Sequence, residues 1–136
     1  MTTLNEIDVL ARTIWAEARG EGKTGMESVG NVIRNRVEDQ RWPDSYNGVC
    51  RQKWQFSCWN PNDPNLSKLL AVGLGDRKFL EAYAIASSVI AGHVEDRTFG
   101  ANHYLTCTLC DSPSRPKWVK ADTPQLRIGN HVFLKL

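Results

Sequence analysis

The sequence lacks any long apolar run and carries little net charge. No stretch of its 136 residues approaches the roughly 20 consecutive apolar residues that span a bilayer. The first residues also lack the basic and apolar regions of a classical secretion signal. We therefore expect no stable membrane insertion and no signal-directed export.

Basic residues are too sparse to indicate a nucleic-acid partner. The formal net charge is +2, and residues 112–136 carry five basic side chains and one acidic side chain. Modules that bind nucleic acid usually show denser basic patches interleaved with aromatic residues. The composition, 41% hydrophobic and 24% charged, is that of an ordinary globular protein. The length predicts a single domain over residues 1–136, and we expect a monomer.

Cysteine is scarce, and its spacing does not define a metal site. The four cysteines are Cys50, Cys58, Cys107 and Cys110. Only the second pair has the two-residue separation that is common in structural zinc sites. The pattern favours free thiols, with neither a metal nor a cofactor. Disulfides, or a zinc site completed by His93 or His103, are the alternatives.

A glutamate lies at the edge of an apolar stripe on the first predicted helix. The stripe has helical spacing and consists of Leu4, Ile7, Leu10, Ala11, Ile14, Trp15 and Ala18. Glu17 lies three residues after Ile14, and Gly20 is suited to end the helix. Partial desolvation and the negative end of the helix dipole both favour the neutral acid at this place. General-acid chemistry requires such a proton donor.

A structural explanation of Glu17 remains open from helix position alone. A glutamate at the rim of a helix can pair with a neighbouring arginine, and Arg12, Arg19 and Arg34 are the candidates. Glu21 follows the glycine and is interpreted as a solvated or loop-pairing carboxylate.

The remaining pattern is mostly helical with a small β element. A capping box formed by Thr24 and Glu27 predicts a second helix that runs to about Asp39. Gly30 lies in its apolar face and allows another helix to approach closely, so a tight pair with the first helix is expected. Further helices are predicted over residues 44–51, 66–74 and 76–92. Residues 128–134 have the alternation of a strand, with His131, Phe133 and Lys135 on one side.

Four short segments, taken in order, resemble the family of spore-cortex-lytic enzymes and cell-wall hydrolases. They are Ala16 to Glu21, Asn31 to Val37, Gln55 to Ser57, and Ala101 to Tyr104 together with Ile128 to Phe133. The resemblance covers nearly the whole chain. It implies a lysozyme-like helical fold and cleavage of peptidoglycan between N-acetylmuramic acid and N-acetylglucosamine. Glu17 occupies the position of the family's catalytic glutamate.

The resemblance also implies a mechanism with one acid. Glycoside hydrolysis usually uses two carboxylates, but nothing in the spacing of Asp44, Asp63, Asp96 or Asp111 places one of them opposite Glu17. In lytic transglycosylases, which this family resembles, one glutamate acts first as acid and then as base. The sugar closes on itself to a 1,6-anhydro ring. We therefore predict a lytic transglycosylase, with a hydrolysing muramidase that uses a second carboxylate as the alternative.

The residues expected to bind the glycan come from the later segments. They are Gln55, Phe56, Ser57, Trp59, Asn102, His103 and Tyr104. Gln55 and Ser57 are expected to hydrogen-bond the N-acetyl group or the developing charge, with His103 and Tyr104 across the cleft. Trp54 and Trp59 are candidates for stacking on sugars. Phe56 and Tyr104 as core residues, and His103 as a structural histidine, are the alternatives.

The chain differs from many relatives in its four cysteines and in the sequence Asn102-His103-Tyr104, where threonine often precedes the histidine. Its compact form looks like a phage endolysin, made in the host cytoplasm and acting on the cell wall in the periplasm after release. A non-catalytic glycan-binding or zinc-stabilised module is the alternative from another functional class.

Overall fold

The computed structural model describes residues 2–53 and 55–136. Helix α1 (Thr2–Ala18) leads through a 3-10 turn (Arg19–Glu21) into α2 (Gly22–Val37). Then follow α3 (Tyr46–Cys50), a second 3-10 turn (Ser57–Trp59), α4 (Pro64–Ala71) and α5 (Arg77–Ile90). The C-terminal part contains β1 (His103–Thr106), α6 (Cys107–Cys110), β2 (Leu126–Ile128) and β3 (His131–Leu134). No helix in the described part of the chain is long and apolar enough to cross a membrane.

The helical core is built around α1, α2 and α5. Their apolar stripes meet in one cluster, in which Leu10, Ile14, Val29, Ile33 and Val89 are fully buried. Gly30 sits where the three helices come together: a Cβ there would lie 3.0 Å from Val89 Cγ2 and 3.4 Å from Ile14 Cδ1. The close approach predicted at Gly30 is therefore confirmed, but the nearest neighbour belongs to α5, and α1, the predicted partner, is second.

A small antiparallel sheet packs against this core. The strand order is β1-β3-β2, and Tyr104 is opposite Phe133. Because side chains alternate along a strand, one face of the sheet carries Tyr104 and Phe133, which pack with Val32 of α2. The opposite face forms a second apolar cluster with α6 and the following loop, made up of Leu105, Cys110, Val119, Val132 and Leu134.

Most predicted elements are present, with shifted boundaries. Helix α2 begins at Gly22, so the predicted start at Thr24 is wrong. Glu21 already has helical backbone angles, so the chain enters α2 without an extended capping residue. Glu27 forms an ion pair with Arg97 at 2.7 Å instead of a capping box.

The later helices begin at aspartate caps. Asp63 accepts a hydrogen bond from the Asn65 amide at 2.8 Å, so α4 begins at Pro64 and ends at Ala71, before the predicted residue 74. Asp76 accepts from the Phe79 amide at 2.9 Å and caps α5. Of the strand predicted over residues 128–134, residues 131–134 form β3 with the predicted faces, whereas Ile128 ends β2 and residues 129–130 form the turn between the two strands.

Candidate active site

Glu17 lies in the last turn of α1 and reaches toward the sheet. Ile14, Trp15 and Ala18 are buried around it, which leaves Glu17 partly exposed at the rim of the stripe. The Tyr104 hydroxyl donates a hydrogen bond of 2.5 Å to Glu17 Oε1. This length is typical of a hydroxyl bound to a carboxylate. The α1 and β1 elements therefore meet at this carboxylate.

The three arginines proposed as partners of Glu17 have other contacts. Arg12 donates to Asp8 at 2.9 Å and to the carbonyl groups of Leu69 and Val72. The Arg19 guanidinium lies 4.0 Å from the Trp15 ring centre. Arg34 donates to the Val89 carbonyl at 2.6 Å. The interpretation of Glu17 as half of a helix-surface ion pair is therefore not supported by these contacts.

Two neutral donors adjoin the Glu17 carboxylate. Burial, with the nearby Glu17 charge and the hydrogen bond to Glu17, raises the pKa of the Tyr104 phenol well above its ordinary value. The same causes raise the pKa of the Cys58 thiol, which also hydrogen-bonds to Glu17. Both groups therefore keep their protons at neutral pH. The Glu17 carboxylate is therefore held by hydrogen bonds from two protonated side chains, Tyr104 and Cys58.

The cysteines are thiols, as predicted, and two of them lie under the site. All four are free, and Cys50 and Cys58 are buried. Burial raises the pKa of Cys50 to about 12, although a hydrogen bond with Thr13 opposes this. Both thiols are therefore unreactive as nucleophiles at neutral pH.

Glu21 is fixed on the other side of Tyr104. Its carboxylate accepts hydrogen bonds from the backbone N–H and from the side-chain Nδ2 of Asn130, both at 3.2 Å. His131 Nδ1 lies 3.5 Å from Glu21 Oε1, and the His131 ring packs edge-on against Tyr104 at 5.4 Å. Burial raises the pKa of Glu21, but the contacts with Asn130 and His131 outweigh it, so the net pKa is lowered. The prediction of a loop-pairing carboxylate is confirmed.

The aspartates considered as a second acid mostly have structural partners. Asp63 caps α4. Asp96 accepts hydrogen bonds from Thr98, Gly100 and Asn35. Asp111 forms an ion pair with Arg127 at 2.7 Å. These contacts give each of the three carboxylates a role outside the Glu17 site.

Arg36 is a buried cation that the sequence interpretation missed. It is 6% exposed, and its Nε donates to the Asn102 carbonyl at 2.7 Å. Its guanidinium lies 5.3 Å from the Trp42 ring centre and 5.6 Å from that of Phe56. Burial lowers its pKa, although the neighbouring Tyr104 opposes this. Arg36 lies four residues after the core residue Val32, so helical spacing places its charge in an apolar stripe. The same signal marked Glu17.

The residues of the third segment divide into exposed and packed ones. Gln55 and Ser57 are exposed, and Gln55 Oε1 accepts a hydrogen bond of 3.4 Å from Arg36. Phe56 is buried in the core. Trp59 donates to Thr13 Oγ1 at 2.9 Å and packs against the helical core. Trp54 lies outside the described residues.

Asn102 and His103 are linked to each other and to the C-terminal residue. The buried Asn102 donates to the Leu136 carbonyl at 3.0 Å and accepts from the Leu136 amide at 2.9 Å. Its Oδ1 also lies 2.8 Å from His103 Nδ1. Burial first, and then the charges of Arg36 and Arg41, lower the pKa of His103 to about 4. His103 is therefore neutral at pH 7, and Asn102 is occupied by intramolecular hydrogen bonds.

The site thus combines a partly exposed carboxylic acid, two neutral donors, a buried arginine and exposed polar groups from residues 55–57. Of the predicted site residues, the structure brings Tyr104 into direct contact with Glu17 and Gln55 into contact with Arg36. Phe56, Trp59 and Asn102 support the surrounding structure. This arrangement can deliver and take up a proton at a partly exposed surface.

The chain is similar to solved catalytic domains over nearly its whole length. The catalytic domain of the germination-specific lytic transglycosylase SleB from Bacillus anthracis superposes with a TM-score of 0.73 at 26% identity, covering 96% of this chain and 94% of that one. The Bacillus cereus SleB catalytic domain superposes with a TM-score of 0.74 at 26% identity, covering 97% and 91%. The predicted mainly helical, lysozyme-like fold with a small sheet is confirmed by this likeness.

Sequence comparison gives the same result. A spore cortex-lytic enzyme of Halalkalibacterium halodurans is 27% identical over 130 residues, which are 95% of this chain. The chain spans 34% of the length of that relative. The family model described as Cell Wall Hydrolase matches residues 20–134, so Glu17 lies just before the matched span. The chain therefore belongs to the Cell Wall Hydrolase family.

Proposed function

We propose that this chain cleaves peptidoglycan glycan strands as a lytic transglycosylase, with Glu17 as the acid and base. The contact between Glu17 and Tyr104 carries the proposal, because it fixes one carboxylate at the rim of the helical core beside exposed polar groups. The likeness to a catalytic domain named as a lytic transglycosylase supports it.

The proposed reaction requires a single carboxylate. Glu17 donates its proton to the oxygen of the β-1,4 bond between N-acetylmuramic acid and N-acetylglucosamine, and the bond from that oxygen to muramic C1 breaks. The Glu17 carboxylate then accepts the proton of the muramic C6 hydroxyl, whose oxygen bonds to C1. The products are a free N-acetylglucosamine 4-hydroxyl and a 1,6-anhydromuramic end, and Glu17 is again protonated. Tyr104 and Cys58 orient the carboxylate through both steps.

The alternative function is a hydrolysing muramidase that uses a second carboxylate, and Glu21 is a candidate for that group. It is a second carboxylate, four residues from Glu17, whose pKa is lowered by Asn130 and His131. In a muramidase, water takes the place of the C6 hydroxyl and leaves a reducing end. Mass spectrometry of digested peptidoglycan separates the two, because a reducing end is heavier by one water molecule. Anhydro ends support the transglycosylase, and reducing ends contradict it.

The replacement Glu17→Gln tests the catalytic assignment. It keeps the size of the side chain and removes the proton-transfer group, so the rate of glycan cleavage should fall at least about 100-fold. The measurement is release of soluble muropeptides from purified peptidoglycan, with circular dichroism to confirm folding. Glu38→Gln is the matched control, because Glu38 is exposed and pairs only at the surface with Arg34 at 3.5 Å.

Full activity of folded Glu17→Gln would overturn the assignment of Glu17. Saturable glycan binding by the wild-type chain without any cleavage would favour the non-catalytic module instead.

The setting of the reaction is a separate proposal. Action on the cell wall after release from a host cytoplasm, as in phage lysis, and a monomeric state rest on the sequence resemblance and composition alone. Loss of turbidity in outer-membrane-permeabilised cells, caused by wild type and not by Glu17→Gln, tests the bacteriolytic part. Sedimentation analysis tests the monomer.

A further inference from the structure

Three aromatic rings from distant parts of the chain form a continuous surface beside β1. The His103 ring lies 6.0 Å from Trp42 and 5.0 Å from Trp118, measured between ring centres. Trp42 follows the end of α2, His103 begins β1, and Trp118 lies in the loop after α6. We call these three residues the aromatic platform. The candidate site assigned above does not use either tryptophan.

Trp118 is held in place but left uncovered. Its neighbour Val119 is 4% exposed and anchors the loop in the second apolar cluster, and the Val119 amide donates to the Pro116 carbonyl at 3.0 Å. Trp118 itself is 38% exposed. An aromatic side chain that is fixed and uncovered is typical of a ligand-binding surface, because little entropy is lost when a ligand stacks on it.

At the other end of the platform, two arginines pack against Trp42. The Arg36 and Arg41 guanidinium groups lie 5.3 Å and 4.8 Å from the Trp42 ring centre. Arg41 also forms an ion pair with Asp39 at 2.9 Å. Trp42 is therefore fixed from both the buried side and the solvent side.

His103 adds a defined hydrogen-bond acceptor. Asn102 Oδ1 is an acceptor in this network, since it receives the Leu136 amide, so His103 Nδ1 carries the hydrogen in the 2.8 Å contact between them. In a neutral imidazole the other nitrogen, Nε2, then bears a lone pair. The platform therefore offers ring surfaces together with one acceptor for an O–H or N–H group.

The platform is connected to the Glu17 site through Arg36. His103 and Tyr104 are consecutive residues of β1, so their side chains lie on opposite faces of the sheet, and Tyr104 is the one that donates to Glu17. Arg36 connects the same two regions, since it binds the Asn102 carbonyl and packs on both Trp42 and Phe56. Arg36 therefore lies between the platform and the residues around Glu17, since it also interacts with Tyr104.

We propose that Trp118, His103 and Trp42 form a sugar-binding subsite that stacks an N-acetylated pyranose ring of the glycan strand next to the Glu17 site. The inference rests on the proposed function for the choice of polymer. A pyranose ring presents an apolar C–H face to an aromatic ring and polar groups at its edge. This pattern matches the ring surface of Trp118 and the lone pair of His103 Nε2.

Binding without turnover tests the subsite. Glu17→Gln serves as the parent, and its dissociation constant for the β-1,4-linked hexamer of N-acetylglucosamine is measured by calorimetry. Adding Trp118→Ala should weaken binding about tenfold, the effect of one aromatic contact worth about 1.4 kcal/mol. Trp118→Phe should restore most of the affinity. The matched control is Phe99→Ala, because Phe99 is an aromatic residue that is 81% exposed and lies outside the platform.

The outcomes separate the two proposals. An unchanged dissociation constant for folded Trp118→Ala, an equal loss for Phe99→Ala, or no binding by the parent would overturn the subsite. If the wild-type chain fails to cleave peptidoglycan but hexamer binding depends on Trp118, the proposed enzymatic function fails and the subsite stands. If the wild type cleaves peptidoglycan and Trp118→Ala leaves hexamer affinity unchanged, the subsite fails and the proposed enzymatic function stands.

Discussion

Glu17 is held by donors from two different parts of the chain. Tyr104 comes from β1, and Cys58 comes from the 3-10 turn after α3. A glutamate has three rotatable bonds, so a carboxylate at a helix end does not keep one orientation unless hydrogen bonds restrict it. Proton transfer to a glycosidic oxygen requires such orientation. We therefore regard Tyr104 and Cys58 as positioning residues.

Tyr104→Phe isolates the contribution of the phenol. The ring keeps its packing against Phe133, at 5.7 Å between centres, while Glu17 loses its 2.5 Å hydrogen bond. A hydrogen bond to a charged group contributes about 1.5–3 kcal/mol, so kcat should fall about tenfold to 100-fold. KM should stay within about twofold, because the phenol is bonded to Glu17. Steady-state kinetics on soluble glycan fragments measures both.

Tyr83→Phe is the control for Tyr104→Phe. Tyr83 packs on Phe79 at 6.2 Å within the helical core, so this change removes a phenol at a distance from Glu17. A rise in KM without a change in kcat for Tyr104→Phe would show that Tyr104 binds substrate directly, as the sequence interpretation expected.

Glu21 joins two elements that are far apart in sequence. It ends the 3-10 turn after α1 and is bound by the turn between β2 and β3. At Gly129, where φ is 58°, a Cβ would lie 3.1 Å from Glu21 Oε1. Only glycine adopts this backbone readily and leaves room for the carboxylate. This contact sets the position of the sheet, and so of Tyr104, relative to α1.

Glu21→Gln should loosen this connection in a pH-dependent way. A folded-state pKa below the ordinary 4.5 means that ionised Glu21 stabilises the fold above pH 4.5. That contribution disappears as pH falls through the lowered folded pKa. At pH 7 we expect a loss of roughly 1–2 kcal/mol, given two hydrogen bonds to a charged group. Urea unfolding at pH 7 and near pH 3 measures the difference between variant and wild type.

The difference should shrink at the lower pH. A Glu21→Gln penalty that is equal at both pH values would contradict a role for the charge. Glu38→Gln again serves as the control, since its side chain is 61% exposed and its ion pair is weak.

The helices and β3 were predictable because their patterns are local, whereas β1 and β2 were not. Leu10, Ile14 and Trp15 mark α1 without knowledge of the rest of the chain. Strands β1 and β2 have only four and three residues, too few for alternation to be distinguished from chance. Their pairing with β3 is decided by contacts with α2 and with Val119, which lie far away in sequence.

In the candidate site, too, local features were predictable from the sequence, whereas contacts between distant residues were not. Glu17 was recognisable from a helix pattern and an ordered family resemblance. The partners of Glu17, however, come from residues 58 and 104, and the aromatic platform unites residues 42, 103 and 118. Such convergence depends on the complete fold. Tyr104 was accordingly predicted as a substrate-binding residue, but its contact with Glu17 was not anticipated.

The whole arrangement depends on how closely α1, α2 and α5 pack at Gly30. A branched side chain there would overlap Val89 and press on Ile14. We expect Gly30→Val to destabilise the fold by about 1–3 kcal/mol, the usual cost of overpacking a core. Thermal or urea unfolding measures this loss.

A second substitution distinguishes overpacking from a general effect of valine. Val89→Ala removes the methyl groups nearest to the new side chain, so the double variant Gly30→Val/Val89→Ala should be more stable than the sum of the single changes predicts. Such coupling is expected between residues in contact. Gly73→Val is the control, because a Cβ at Gly73 meets nothing within 4 Å. Strict additivity of Gly30→Val and Val89→Ala would show that the helices do not depend on this close approach.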